Sequence, residues 1–288
     1  MTTAFVFPGQ GSHRVGMGNQ LFPKYPNLVR QADSVLGYSI VELCLQGPPD
    51  RLSDTRYTQC AMYVVGALSY IDEVRTSGVI PDIVAGHSLG EYVALFASGA
   101  FDFRTGLEVV RERARLMGAV GAGTMAAIIG LSLEAVRDAL DGPEGVGVDI
   151  ANLNAPDQTV ISGPPPDVAA VSRTLQDRGA TVVTLPVTGA FHSRYMSPAA
   201  EKFAHFLGRR VLSRLKIPVV SNVTALPYDG DVAGLLVRQL TSPVRWSDTI
   251  DHLLGHRNAA VREVGPGTVL TGLIKRIEAL RTPAAAGL

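Results

Sequence analysis

Gly86-His87-Ser88-Leu89-Gly90 is a G-x-S-x-G pentapeptide between an apolar run typical of a strand and a run with helical spacing. Ile83-Val84-Ala85 precedes it, and the apolar residues after it recur every three or four positions. This context predicts that Ser88 lies on a sharp strand-to-helix turn with its hydroxyl exposed. The two glycines allow neighbouring backbone to approach closely, and the helix start leaves N–H groups free to face an oxyanion.

Strand-like and helix-like segments alternate on both sides of this turn. Residues 53–76 and 91–118 have helical patterns, and residues 79–85 between them are strand-like, which favours a parallel sheet covered by helices. From residue 123 the pattern becomes β-α-β-β-α-β, as in ferredoxin-like folds. We expect an α/β fold: a large α/β-hydrolase-like domain with a parallel sheet (1–122 and 187–288) and an inserted ferredoxin-like small domain (123–186).

The composition excludes several classes of protein. The chain has 288 residues, of which 46% are hydrophobic and 18% charged, with a formal net charge of zero. Such a chain has no overall field to attract nucleic acid or an anionic membrane, so we expect neither as a partner. No apolar run has the length of a signal-peptide core or a membrane span, which predicts a cytoplasmic protein. Residues 283–288 are predicted to form a disordered tail.

A serine hydroxyl is a weak nucleophile until a base takes its proton, so Ser88 needs an imidazole within reach. His87 is adjacent, but neighbouring side chains in a sharp turn point in different directions. Three histidines in helical segments are better explained as surface or partly buried residues: His205, His252 and His256. His13 in a glycine-rich loop and His192 at the return from the small domain are the candidates that remain.

Six short motifs stand in register along the chain. They are Phe7-Pro8-Gly9-Gln10-Gly11-Ser12, Gly86-His87-Ser88-Leu89-Gly90-Glu91, Arg113-Ala114-Arg115-Leu116-Met117, Asn152-Leu153-Asn154-Ala155-Pro156, Gly189-Ala190-Phe191-His192-Ser193 and Glu263-Val264-Gly265-Pro266-Gly267. Together they resemble the malonyl-coenzyme A:acyl carrier protein transacylases of fatty acid and polyketide synthesis. The resemblance extends from about residue 3 to about residue 280.

This resemblance implies roles for the residues around the turn. Ser88 would be the nucleophile that takes the acyl group as an ester, and His192 its general base and acid. The family holds this histidine with a backbone carbonyl in place of a carboxylate, and Gln239 matches the residue that supplies it. The backbone N–H groups of Gln10 and Leu89 would form the oxyanion hole.

The resemblance also implies how the substrate is selected. Arg113 matches the residue that binds the free carboxylate of a malonyl group through paired hydrogen bonds. Periodicity alone leaves Arg111 and Arg113 equivalent, because both border the apolar stripe of the same helix. Phe191 matches the bulky residue that malonyl-preferring members place before the histidine. We expect three further residues in the acyl pocket: Met117, Asn154 and Gln59.

Two positions depart from the family pattern. His13 stands where many members have glutamine, and Cys60 stands where proline usually follows the Thr-Gln pair. We expect His13 to lie close enough to the oxyanion loop to alter pH dependence or acyl choice. A cluster of basic residues is either a docking surface for an acidic carrier protein or a solvated face: Lys202, Arg209, Arg210, Arg214 and Lys216.

The function implied is acyl transfer. A malonyl group would pass from malonyl-CoA to Ser88 and then to the phosphopantetheine thiol of an acyl carrier protein. We expect no bound cofactor or metal, a monomer, and a carrier that belongs to a polyketide synthase served in trans. One alternative is a hydrolase of the same fold that clears acyl groups from stalled carriers. The other is a non-catalytic module that docks carrier proteins.

Overall fold

A computed structural model describes residues 2–281, and the predicted tail at 283–288 lies outside these residues. The strands are β1 Thr2–Phe7, β2 Ile83–Gly86, β3 Thr124–Ile129, β4 Asp149–Ala155, β5 Gln158–Gly163, β6 Thr181–Thr184, β7 Val219–Val220 and β8 Ala259–Glu263. The first six helices are α1 Pro26–Leu36, α2 Ile40–Gln46, α3 Pro49–Ser53, α4 Thr55–Ser77, α5 Gly90–Ala97 and α6 Phe103–Gly118. The others are α7 Leu133–Leu140, α8 Pro165–Asp177, α9 Ser197–Leu207, α10 Val232–Gln239, α11 Trp246–Leu254 and α12 Val269–Leu280.

The first sheet is parallel and has the strand order β7-β2-β1-β8. Successive side chains of a strand point to opposite faces, and both faces of β1 are buried. Phe5 and Phe7 belong to the larger core with α4, α5 and α6, whereas Ala4 and Val6 pack in a second core with Trp246 of α11 and residues of α12. Helices therefore cover the sheet on both sides, which confirms the predicted architecture.

The second sheet is antiparallel, with the strand order β4-β5-β3-β6. Helices α7 and α8 follow its first and third strands in chain order, which is the predicted β-α-β-β-α-β pattern. The mixed α/β class with a separate small sheet is confirmed. The exact division of the chain into domains at residues 123 and 186 stays a prediction.

Two predicted elements differ from the structure. The helical pattern of 91–118 is interrupted between α5 and α6, because Gly99 has a φ of +81° and the Asp102 side chain accepts a hydrogen bond from the Thr105 N–H at 2.7 Å, which caps a new helix. The strand predicted over 79–85 begins only at Ile83. Val79 and Ile80 are exposed, and Pro81 has no N–H to donate to a neighbouring strand. None of the described helices is long and apolar enough to cross a membrane.

Candidate active site

Ser88 lies between β2 and α5, at the carboxyl end of the parallel sheet, on a strained turn. Its φ is +51°, a left-handed conformation that few non-glycine residues adopt. The side chain of Asn222 supports the turn, because its Oδ1 accepts a hydrogen bond from the Ser88 N–H at 2.7 Å. The flanking glycines are required sterically: a Cβ on Gly86 would lie 1.9 Å from the Gly90 carbonyl carbon, and one on Gly90 would lie 1.9 Å from the Phe7 carbonyl oxygen.

The structure brings Ser88 and His192 together across 104 positions of sequence. Ser88 Oγ lies 2.8 Å from His192 Nε2, and His192 Nδ1 lies 2.8 Å from the backbone oxygen of Gln239. A backbone oxygen can only accept, so Nδ1 carries the hydrogen and Nε2 is free to accept the serine proton. Burial, with the positive charge of Arg113, lowers the pKa of His192 to about 3. The imidazole is therefore neutral near pH 7, as a general base must be.

The glycine-rich loop after β1 lies against the Ser88 turn. A Cβ on Gly9 would be 2.4 Å from the His87 carbonyl oxygen and 3.5 Å from the Leu89 nitrogen. Neither the Gln10 N–H nor the Leu89 N–H donates a hydrogen bond within residues 2–281. Both are available to an oxygen that becomes negatively charged during attack by Ser88.

Arg113 of α6 is a buried cation beside the nucleophile. It is 1% exposed, and its guanidinium donates to Ser88 Oγ at 3.1 Å, Gln59 Oε1 at 2.6 Å and Gln239 Oε1 at 2.9 Å. All three acceptors are neutral. Arg111 is instead exposed and donates to the backbone oxygen of Val35. The structure thus separates two arginines that periodicity leaves equivalent.

A cavity of about 270 Å³ opens over Ser88. Every residue predicted to contact the acyl group lines it: Gln59, Arg113, Met117, Asn154 and Phe191. His13 also lines the cavity, where its Nδ1 accepts a hydrogen bond from the Gly11 N–H at 3.3 Å. Burial lowers the pKa of His13. Cys60 is buried in α4 and does not line the cavity.

Among the described residues, no other histidine is hydrogen-bonded to Ser88 Oγ, although His87 also lines the cavity. His87 contacts Asn154 Oδ1 through Nε2 at 2.8 Å and packs edge-on against Trp246. His205 contacts Arg209 on the surface, and His252 packs against His256. The predicted basic cluster is partly engaged within the chain, since Arg210 pairs with Glu108 at 3.2 Å and lies over the Phe206 ring. Its role as a docking surface stays a prediction.

Sequence reasoning missed three residues behind the site: Glu91, Asn222 and Tyr228. Glu91 is fully buried, and it accepts hydrogen bonds from the Tyr228 hydroxyl at 2.6 Å and the Asn222 N–H at 3.1 Å. Burial raises the pKa of its carboxyl to about 7. The available signal was a carboxylate directly after the G-x-S-x-G pentapeptide, on a helix whose other residues are mostly apolar.

Comparison with known proteins gives the class. Residues 4–284 match the acyl transferase domain family, and the chain belongs to that family. The polyketide biosynthesis malonyl CoA-acyl carrier protein transacylase PksC of Bacillus subtilis (strain 168) is 49% identical, with 95% of this chain and 96% of PksC covered. The malonyl CoA-acyl carrier protein transacylase of Escherichia coli (strain K12) is 38% identical over 95% of this chain and 92% of its own.

Solved structures similar to this chain have names of the same kind as these relatives. A crystal structure of malonyl CoA-acyl carrier protein transacylase from Burkholderia pseudomallei has a TM-score of 0.95 and 46% identity, covering 99% of this chain and 100% of that one. A malonyl-transacylase solved in complex with a type II PKS acyl-carrier protein, PlMCAT:AntF, has a TM-score of 0.91 and 35% identity, covering 96% of this chain and 93% of that one. The predicted family is therefore confirmed.

Proposed function

We propose that this chain moves a malonyl group from malonyl-CoA to the phosphopantetheine thiol of an acyl carrier protein through an ester on Ser88. The observation that carries the proposal is Arg113, a buried guanidinium 3.1 Å from Ser88 Oγ with no carboxylate among its hydrogen-bond partners in the described chain. A buried cation is costly unless it is paired. An acyl group with its own free carboxylate would pair it, and a plain acetyl group would not.

The first half-reaction forms the ester. His192 Nε2 takes the Ser88 proton as Oγ attacks the thioester carbonyl, and the resulting oxyanion faces the N–H groups of Gln10 and Leu89. Collapse of this intermediate breaks the carbon–sulfur bond. His192 returns the proton to the leaving sulfur, and coenzyme A departs as the thiol.

The second half-reaction repeats these steps with a different thiol. The phosphopantetheine thiol gives its proton to His192, and its sulfur attacks the carbonyl carbon of the Ser88 ester. The carbon–oxygen bond of the ester then breaks, the malonyl group leaves on the new thioester, and His192 returns the proton to Ser88 Oγ. Arg113 would hold the malonyl carboxylate through both halves, with Gln59, Met117, Asn154 and Phe191 around the acyl group. No metal or bound cofactor is needed for either half.

Two relatives support a polyketide carrier. PksC is named as a polyketide biosynthesis transacylase. BaeC of Bacillus velezensis is 48% identical over 95% of this chain and is also named as a polyketide biosynthesis transacylase. We therefore propose that this enzyme charges the carrier of a polyketide synthase in trans. The cytoplasmic location and the monomeric state stay predictions.

Intact-mass measurement tests the nucleophile. The wild-type protein mixed with malonyl-CoA should gain the mass of one malonyl group and lose it when a carrier bearing phosphopantetheine is added. Ser88→Ala should gain nothing, because it removes the hydroxyl that lies 2.8 Å from His192 Nε2. A stable malonyl adduct on Ser88→Ala would contradict the assignment. Loss of the group to water at the same rate with and without carrier would favour the hydrolase alternative.

A further inference from the structure

The buried carboxylate of Glu91 lies behind the substrate cavity and does not line it. Its two oxygens have different partners. Oε1 accepts from the Asn222 N–H and the Tyr228 hydroxyl, and Oε2 accepts from Nε2 of Gln239. A fully buried carboxylate is retained only where such hydrogen bonds compensate for its lost hydration. The bond from Gln239 Nε2 to Oε2 joins this carboxylate to the side chains of the reaction centre.

Gln239 connects Glu91 to both parts of the reaction centre. Its backbone oxygen holds His192 at 2.8 Å, its side-chain Oε1 accepts from Arg113 at 2.9 Å, and its Nε2 also donates to the Ser88 backbone oxygen at 3.0 Å. The amide must therefore present its oxygen to Arg113 and its NH₂ group to Glu91. A reversed amide would place one donor against another.

From these contacts we infer that Glu91 is a positioning residue, which orients the Gln239 amide so that Arg113 stays in place to select a carboxylated acyl group. This inference rests on the proposed function. Among the described residues, Glu91 is the one carboxylate that is linked to Arg113 by hydrogen bonds through a single intervening side chain, that of Gln239. It acts through Gln239, because its carboxylate contacts neither the Ser88 side chain nor the substrate cavity.

The substitution Glu91→Gln tests this role because it keeps the size of the side chain and removes its charge. The Asn222 N–H can only donate, so the new amide must turn its oxygen toward Asn222 and its NH₂ group toward Gln239. Gln239 then either meets this NH₂ group with its own or reverses and presents NH₂ to Arg113. In the first arrangement two NH₂ groups face each other. In the second the Gln239 NH₂ group faces the Arg113 guanidinium, which loses an acceptor.

The readout is the ratio of initial acylation rates with malonyl-CoA and acetyl-CoA, measured by quenched intact mass. We expect the ratio to fall at least about tenfold in Glu91→Gln, because only the malonyl reaction needs Arg113 in position. The matched variant is Tyr63→Phe, which removes a buried hydrogen bond to the Phe103 backbone oxygen and leaves every partner of Glu91 in place. There the ratio should stay within about threefold of wild type.

Two results would overturn the inference. One is a Glu91→Gln ratio within about threefold of wild type, and the other is an equal fall in both variants, which would indicate a general packing role. A wild-type protein that gains no malonyl adduct would instead contradict the proposed function. Thermal unfolding of both variants shows whether they are folded.

A measurement on the wild-type protein keeps the inference testable if Glu91→Gln does not fold. Burial raises the pKa of Glu91 to about 7, so the carboxyl gains a proton as the pH falls from 8 to 6, and a protonated oxygen donates toward Gln239 as the glutamine would. The other titratable groups that face it are Arg113, Tyr92 and Tyr228, and burial shifts the pKa of both tyrosines upward. The malonyl-to-acetyl ratio should fall over this range. A constant ratio would contradict the inference.

Discussion

The Ser88–His192 pair and Arg113 meet in one cavity, but they are held there in different ways. Both members of the pair lie on sharp turns with positive φ, +51° for Ser88 and +57° for His192. Arg113 lies within a regular helix and is held by side chains from α4 and α10, 54 and 126 positions away in sequence. The nucleophile is therefore placed by backbone conformation, and the residue that selects the substrate is placed by side-chain hydrogen bonds.

This difference predicts how each part fails. A change at the turns should abolish chemistry on every acyl group or unfold the protein. A change in the arginine network should alter the choice of acyl group more than the chemistry itself.

The largest effect should come from His192→Ala. Without the imidazole, no group takes the proton from Ser88 Oγ, so the acylation rate should fall by about 10² to 10⁴ with malonyl-CoA and acetyl-CoA alike. Quenched intact-mass kinetics with both thioesters measure this. A loss confined to malonyl-CoA would mean that His192 belongs to the selecting part of the site.

Gly90→Ala should destabilise the fold. The new Cβ would meet the Phe7 carbonyl oxygen at 1.9 Å, which forces β1 and the Ser88 turn apart at a cost of about 1–3 kcal/mol or more in the free energy of unfolding. The matched control is Gly272→Ala in α12, where a Cβ meets nothing within 4 Å. That change should raise stability by up to about 1 kcal/mol through helix propensity. Urea unfolding of both variants gives the comparison, and equal stabilities would contradict the steric argument.

The same difference decides which parts of the site could be predicted from the sequence. The Ser88 turn was predictable because its signals are local: an apolar strand, two glycines and a helix start. The break near Gly99 had local signals as well, but the apolar spacing on both sides hid them. Arg113 could not be separated from Arg111 by periodicity, because the deciding contacts come from Gln59 and Gln239. These pairings depend on the folded chain.

The role of Glu91 could not be predicted from the sequence for the same reason. Glu91 is adjacent to the pentapeptide, yet its partners Asn222, Tyr228 and Gln239 lie more than 130 positions later. A carboxylate in the first turn of a helix is ordinarily explained by the helix dipole. Only the packing of α5 against the later segments shows that this one is buried and bonded to the site.

A smaller effect is expected in the pH dependence of acylation with acetyl-CoA, which does not need Arg113. Because burial lowers the pKa of His192 to about 3, the imidazole stays neutral from pH 7.5 to 5.5, and the rate should change by less than about threefold. A histidine with the ordinary pKa of about 6.5 would lose about tenfold over this range. A tenfold fall would therefore show that His192 titrates normally.

The smallest effect should come from Glu112→Gln on the exposed side of α6. Glu112 pairs with Arg115 at 2.6 Å, with the Arg115 side chain 60% exposed. Surface pairs of this kind contribute at most about 1 kcal/mol. Both acylation rates should stay within about twofold of wild type, and a changed acyl preference would show that the selecting network extends to the helix surface.

Replacement of the buried arginine tests the central claim most directly. Arg113→Ala and the exposed control Arg111→Ala would each be offered malonyl-CoA and acetyl-CoA in equal amounts, with the adduct on Ser88 identified by intact mass. We expect Arg113→Ala to lose at least about 30-fold in preference for malonyl, equivalent to about 2 kcal/mol for a buried charge pair, and Arg111→Ala to keep that preference. An Arg113→Ala protein that still selects malonyl as the wild type does would contradict this expectation.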